Sequence, residues 1–113
     1  MSIKQNNKEL PILLKSGSTD LRRQEKSLTE LIEKNYKGGM QLGRTYGFSN
    51  RKNTAIKFLV VNQDASVGLV KLKRTKPYPW PKYQEKGNEG YVVALEGKKK
   101  RAFLKKVGYT NKP

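Results

Sequence analysis

The sequence predicts a small, mainly β domain of the α+β kind, a five-stranded antiparallel barrel preceded by one helix. Three observations predict it. A single helical stripe lies early in the chain, the apolar period changes from helical to alternating after a Gly-Gly pair, and turn signals then cut the remainder into five short apolar segments. With 113 residues, 35% apolar against 30% charged, the chain supports one modest core.

Residues 1–17 (MSIKQNNKELPILLKSG) are polar apart from a short apolar patch interrupted by Pro11, and read as an extended or disordered arm. Within it Ile12, Leu13 and Leu14 could dock on the domain or on another subunit. Residues 18–38 predict the helix, with Leu28, Leu31, Ile32 and Tyr36 in one stripe and Leu21 as its extension. Ser27-Leu28-Thr29-Glu30 matches a capping box, which leaves the start open between Thr19 and Leu28. Gly38-Gly39 supplies the stop.

Residues 39–109 predict the basic β domain. In residues 40–49, Met40, Leu42, Tyr46 and Phe48 share a face broken by Arg44, as in a half-buried strand. Residues 50–53 turn, and residues 54–62 (TAIKFLVVN) are β-branched and apolar enough for a central strand. After a turn at 62–65, residues 66–74 (SVGLVKLKR) predict a third strand, with a bulge near Gly68 to reconcile Val67 and Leu69 with Val70 and Leu72. Residues 75–89 have neither strand nor helix character. Residues 90–95 and 100–109 then predict a hairpin around Glu96-Gly97, and residues 110–113 a loose tail.

Three strands in a meander, a long connection and a two-stranded hairpin resemble, in spacing, the oligonucleotide-binding or OB-fold barrel. The preceding helix does not stand where that fold commonly has one, between strands three and four. An SH3-like barrel, or a curved sheet packed on the helix, fits the same spacing.

The chemistry of the side chains narrows the function. There is no Cys and no His, which removes disulfides and the usual zinc, iron and copper ligands. There is no Gly-rich phosphate loop, and the four acids after residue 38 (Asp64, Glu85, Glu89, Glu96) fall in expected turns or loops. These observations predict a protein that is not an enzyme and needs no cofactor or metal. No apolar run approaches the roughly 20 residues of a membrane span, and no signal-peptide pattern opens the chain, so a cytoplasmic protein is expected.

The formal charge is +16, and it is uneven. Residues 1–38 carry 8 basic and 5 acidic side chains, a balance of +3, whereas residues 39–113 carry 17 and 4, a balance of +13. Such an excess opposes compaction unless an anionic partner neutralises it. Lys57, Lys71, Lys73 and Arg74 project from successive expected strands, Arg51 and Lys52 occupy one turn, and Lys98, Lys99, Lys100 and Arg101 form the tip of the expected hairpin. The bland reading of each is a solvated face.

Between Lys76 and Lys82 the chain reads Pro77-Tyr78-Pro79-Trp80-Pro81, with Tyr83 following. The prolines forbid a helix or a central strand. Tyr78, Trp80 and Tyr83 are then either presented for base stacking, with Tyr46 and Phe48 beside Arg44 in an open groove, or folded back as a lid on the core.

The function expected from sequence is therefore single-stranded nucleic-acid binding, DNA or RNA, with low sequence preference, through phosphate neutralisation and aromatic stacking. The alternatives are a ribosomal or structured-RNA protein, and a small viral or plasmid-encoded modulator that binds an acidic protein surface. The arm and helix could mediate self-association or recruit a protein partner.

Overall fold

A computed structural model describes residues 10–36, 38–81 and 92–109. Seven elements follow one another: β1 (Ile12–Lys15), α1 (Glu25–Asn35), β2 (Thr45–Ser49), β3 (Ala55–Val61), β4 (Val67–Lys73), β5 (Val92–Leu95) and α2 (Gly97–Val107). The strands form one mixed sheet in the order β4-β3-β2-β1-β5. β1 and β2 are parallel, which the intervening helix α1 permits, and every other pair is antiparallel. The domain is thus mainly β with two helices, but the expected antiparallel barrel is absent. β4 and β5 are opposite edges and do not pair, so the sheet stays open.

The sheet stays open because both of its faces are apolar and each is covered. On one face Ile12, Leu14, Ile56 and Phe58 pack with Tyr78, Trp80, Phe103 and Val107, the last two from α2. On the other, Tyr46, Phe48, Leu59 and Val61 pack with Leu28 and Ile32 from α1 and with Tyr36, which follows it. The expected bulge at Gly68 is therefore unnecessary: β3 and β4 keep an unbroken register from Ala55↔Lys73 to Val61↔Val67. Val67 and Leu69 serve the α1 face while Val70 and Leu72 serve the other.

Residues 12–15, expected within the arm, are a strand of this sheet, with Ile12 and Leu14 buried. In α1 the predicted stripe holds, Leu28 and Ile32 being fully buried and Leu21 and Leu31 packing beside them. The capping box is not used. The N-cap is Gln24 without a side-chain bond, and the Ser27 hydroxyl instead accepts from the Arg23 guanidinium at 2.7 Å. After α1 the chain turns back through Gly38 and Gly39, both at positive φ, where the Glu33 carboxylate accepts from the Met40 amide. β2 starts only at Thr45, five residues later than the alternation suggests, and Leu42 is exposed.

The expected second hairpin strand is the helix α2. Phe103 and Val107 lie four apart, so both satisfy a helical stripe as well as an alternation. Gly108 at φ 76° then closes a Schellman motif, with the Tyr109 amide donating to Leu104 and the Gly108 amide to Lys105. Tyr109 emerges stacked on Phe58 at 4.9 Å between centroids. No described helix is long and apolar enough to cross a membrane.

Candidate functional site

The proline-aromatic segment folds back on the sheet. Tyr78 is buried, Pro79 exposed and Trp80 buried, so the prolines preserve an in-out alternation while removing amides that a ladder would need. Trp80 lies 9% exposed, edge-on to Phe103 at 5.8 Å, and its indole N–H donates to the Lys15 carbonyl at 2.9 Å. The Tyr78 amide donates to the Asn53 carbonyl at 2.7 Å, and the Arg74 guanidinium lies 4.1 Å over its ring. That guanidinium also donates to the carbonyls of Lys76, Pro77 and Lys106, which makes Arg74 a staple between the segment and the end of α2. Tyr46 and Phe48 are 1% and 0% exposed. All four rings are largely buried, with Trp80 keeping an edge on an open apolar hollow beside Pro79, Pro81 and Phe103. Lys82 and Tyr83 lie outside the described residues.

The cationic side chains divide between two ends of the sheet. At the end where β1 and β2 start, Arg44 precedes β2, and Lys98, Lys99, Lys100 and Arg101 form the first turns of α2 rather than a hairpin tip. The β1–β5 register fixes that position, because Leu95 pairs with Ile12, the first residue of β1. Lys100 is bonded to the Leu10 carbonyl.

The other end gathers Arg51, Lys52, Lys57, Lys71, Lys73 and Lys76. The turn there is held by Asn50, whose side-chain carbonyl accepts from the amides of Thr54 and Ala55, and by Ser49, which donates to the Asn53 side chain. Arg51 and Lys52 project from it into solvent.

On the α1 face of this end, the sheet changes character within two residues. Leu13, Tyr46, Leu59 and Leu69 form an apolar row across four adjacent strands. One pleat further, Phe48 pairs with Lys57 and Lys57 with Lys71, and the next step of the β1–β2 register sets Lys15 beside Phe48. Like charges directly opposite in a sheet are destabilising, and Lys57 is only 4% exposed. Its ammonium donates to the Arg23 carbonyl at 2.7 Å. Burial, and then the neighbouring Lys71, push the Lys57 ammonium below the ordinary lysine pKa. Burial, and then Arg23, do the same to Lys15.

No carboxylate offsets this row among the described residues, where the one ion pair is Asp20–Arg22 at 2.9 Å. The Arg22 side chain and amide hold the Asp20 carboxyl down to about 2. Nor does any group of His, Cys, Asp and Glu among the described residues suit a metal ion.

Sequence reasoning missed Lys15, Arg22 and Arg23. The signal was present, since a short apolar run followed by Ser16-Gly17-Ser18-Thr19 and then helix formers is how a strand-loop-helix junction reads.

The family described as IS66 Orf2 like protein matches residues 10–109. The chain belongs to that family. Its members are accessory proteins of insertion-sequence transposition, so the match relates an IS66 Orf2 like chain to transposition and corrects the expected function of a generic single-strand binder. Of the rings expected to stack, Trp80, Tyr78, Tyr46 and Phe48 are buried, and Tyr83 lies outside the described residues. No curated protein and no solved structure matches the chain.

Proposed function

We propose that this IS66 Orf2 like protein is a non-enzymatic accessory factor that binds the phosphate backbone of double-stranded DNA during transposition, through the cationic end of its sheet. The observation that carries the reading is the row of Lys15, Lys57 and Lys71 beside Arg23, held against the α1 core with no carboxylate paired to it among the described residues. A lysine pair facing one another at the edge of a core costs stability, and an anion reverses the sign of that interaction. Arg51, Lys52 and Lys73 widen the same surface.

The described surface favours duplex over single-stranded DNA. Single-strand binders combine a basic groove with exposed aromatic platforms. Among the described residues the rings expected to stack, Tyr46, Phe48, Tyr78 and Trp80, are in the core, and the chemistry left on this surface reads phosphate.

The test is a salt titration of duplex binding. Log affinity falls linearly with log salt, at a slope of about 0.9 per phosphate contacted. Lys71→Gln combined with Arg51→Gln lowers the slope by roughly two contacts on that scale. Absence of duplex binding at low salt, or a slope indifferent to these substitutions, refutes the reading.

A further inference from the structure

Strand β4 is the longer of the sheet's two edges, seven residues against four in β5, and no described strand pairs with its outer side. Its hydrogen bonds fix which backbone groups face outward. The Asn62 amide donates to the Ser66 carbonyl and the Arg74 amide to the Thr54 carbonyl, each at 2.9 Å, so the even-numbered residues of β4 turn toward β3. In an antiparallel ladder the alternate residues turn away, which directs the amides and carbonyls of Val67, Leu69, Lys71 and Lys73 out along the edge. We propose that this edge joins two copies of the chain, the second adding its own β4 antiparallel to the first and centred on Val70.

The register carries the argument, because it is self-complementary. Centred on Val70, Lys71 lies opposite the partner's Leu69 and Lys73 opposite the partner's Val67, and every outward residue of each edge exchanges hydrogen bonds. On the α2 face, Val70 meets its own counterpart and Leu72 lies opposite the partner's Gly68. A Cβ on Gly68 would meet nothing within 4 Å, so that position leaves space for the Leu72 side chain. Val67, Leu69, Val70 and Leu72 are each only partly buried in the single chain, and the pairing covers apolar surface on both faces.

Lysines on an edge strand ordinarily keep other strands away. Here both stand in the second half of β4, while Val67-Gly68-Leu69-Val70 carries no charge, proline or bulge. An antiparallel copy centred on Lys71 would set that lysine against itself, which a chain of +16 tolerates poorly. One centred on Leu69 would leave the backbone of Lys73 without a partner. The copy centred on Val70 pairs all four outward residues and sets each charged half against an uncharged one. Its two-fold axis uses both β4 edges, so this pairing stops at two copies sharing one continuous sheet. The interface does not rest on the proposed function.

The experiment uses the full chain without nucleic acid, in sedimentation equilibrium over a concentration series. Dimers form, and they tighten as salt screens the repulsion between the two chains, whereas phosphate contact weakens with salt. Gly68→Lys, whose side chain has space in the single chain, sets a charge against the partner's Leu72 and raises the dissociation constant at least several-fold, with the circular dichroism of the fold unchanged. A second variant reads the register itself. The chain has no cysteine, so Val70→Cys puts one thiol from each copy beside the two-fold axis, where facing Cα atoms stand about 4.5 Å apart and within disulfide reach. Oxidised glutathione cross-links it many-fold faster than Lys99→Cys, which carries its thiol on α2. A monomer at every concentration, a dimer that Gly68→Lys leaves as tight, or a Val70→Cys protein that cross-links no faster than Lys99→Cys overturns the interface.

Discussion

The face of the sheet under α2 and the face under α1 are built from the same five strands, but their apolar clusters end differently. Under α2 the cluster is closed by more rings, with Trp80, Tyr78, Phe103 and Tyr109 around Phe58 and every nearby cation turned outward or tied to carbonyls, as Arg74 is. Under α1 the cluster stops at Phe48, and the same row continues as Lys15, Lys57 and Lys71. One face spends its positions on stability. The other gives some up where charge is concentrated, which is the edge proposed to bind DNA.

The comparison predicts opposite signs for substitutions on the two faces. The largest effect belongs to Trp80→Ala, which removes a ring packed on Gly47 and Phe103 and is expected to cost about 3–5 kcal/mol in denaturant unfolding. An unshifted midpoint would show that the indole is not part of the core.

Next is Gly47→Ala. A Cβ there would stand 2.8 Å from a Leu14 methyl and 3.1 Å from the rings of Phe58 and Trp80, so overpacking of about 1–3 kcal/mol is expected in the same assay.

Lys71→Gln sits on the other face and should act in the opposite direction. In low salt without multivalent anions it raises stability by about 0.2–1 kcal/mol, by removing the charge facing Lys57. A loss of stability would make the row structural and erase the contrast between faces.

The smallest effect is with pH. Lys15 and Lys57 have folded pKa values below the ordinary 10.5, so above neutrality the unfolded chain binds more protons and stability rises with pH. The rise ends near pH 10, where unfolded tyrosines ionise while burial keeps Tyr36, Tyr46 and Tyr109 protonated in the fold, and stability then falls. Melting curves from pH 7 to 11 without phosphate should show that maximum, and added phosphate should flatten its lower limb.

How much of this was legible in the sequence depended on whether the deciding contact was local. The α1 stripe was legible because Leu28, Ile32 and Tyr36 mark one face of a helix wherever it packs. The strands β3 and β4 were legible from their β-branched runs, but a barrel was inferred where a doubly covered sheet exists. The two apolar phases of Val67, Leu69, Val70 and Leu72 already indicated two covered faces. Helix α2 was misread because Phe103 and Val107 satisfy both periods, although Leu104, the lysine-rich exposed positions and Gly108 favour a helix.

The site was legible only in its charge. Lys57 and Lys71 are visible as basic residues on strands, but their pairing with Lys15 and Arg23 depends on residues 12–14 lying parallel to 45–47 across the helix, which no local window contains. The prolines around Trp80 were read correctly as forbidding a ladder. They do not forbid packing, and that difference decided the fate of the stacking hypothesis.

The bond from the Trp80 indole to the backbone of residue 15 has an optical consequence. The chain's single tryptophan is wired to the peptide that carries the Lys15 ammonium, so its emission is a built-in gauge of strain at the end of β1. A change in that glow on adding an anion would register a displacement relayed through one peptide group, from a fluorophore the visitor never touches.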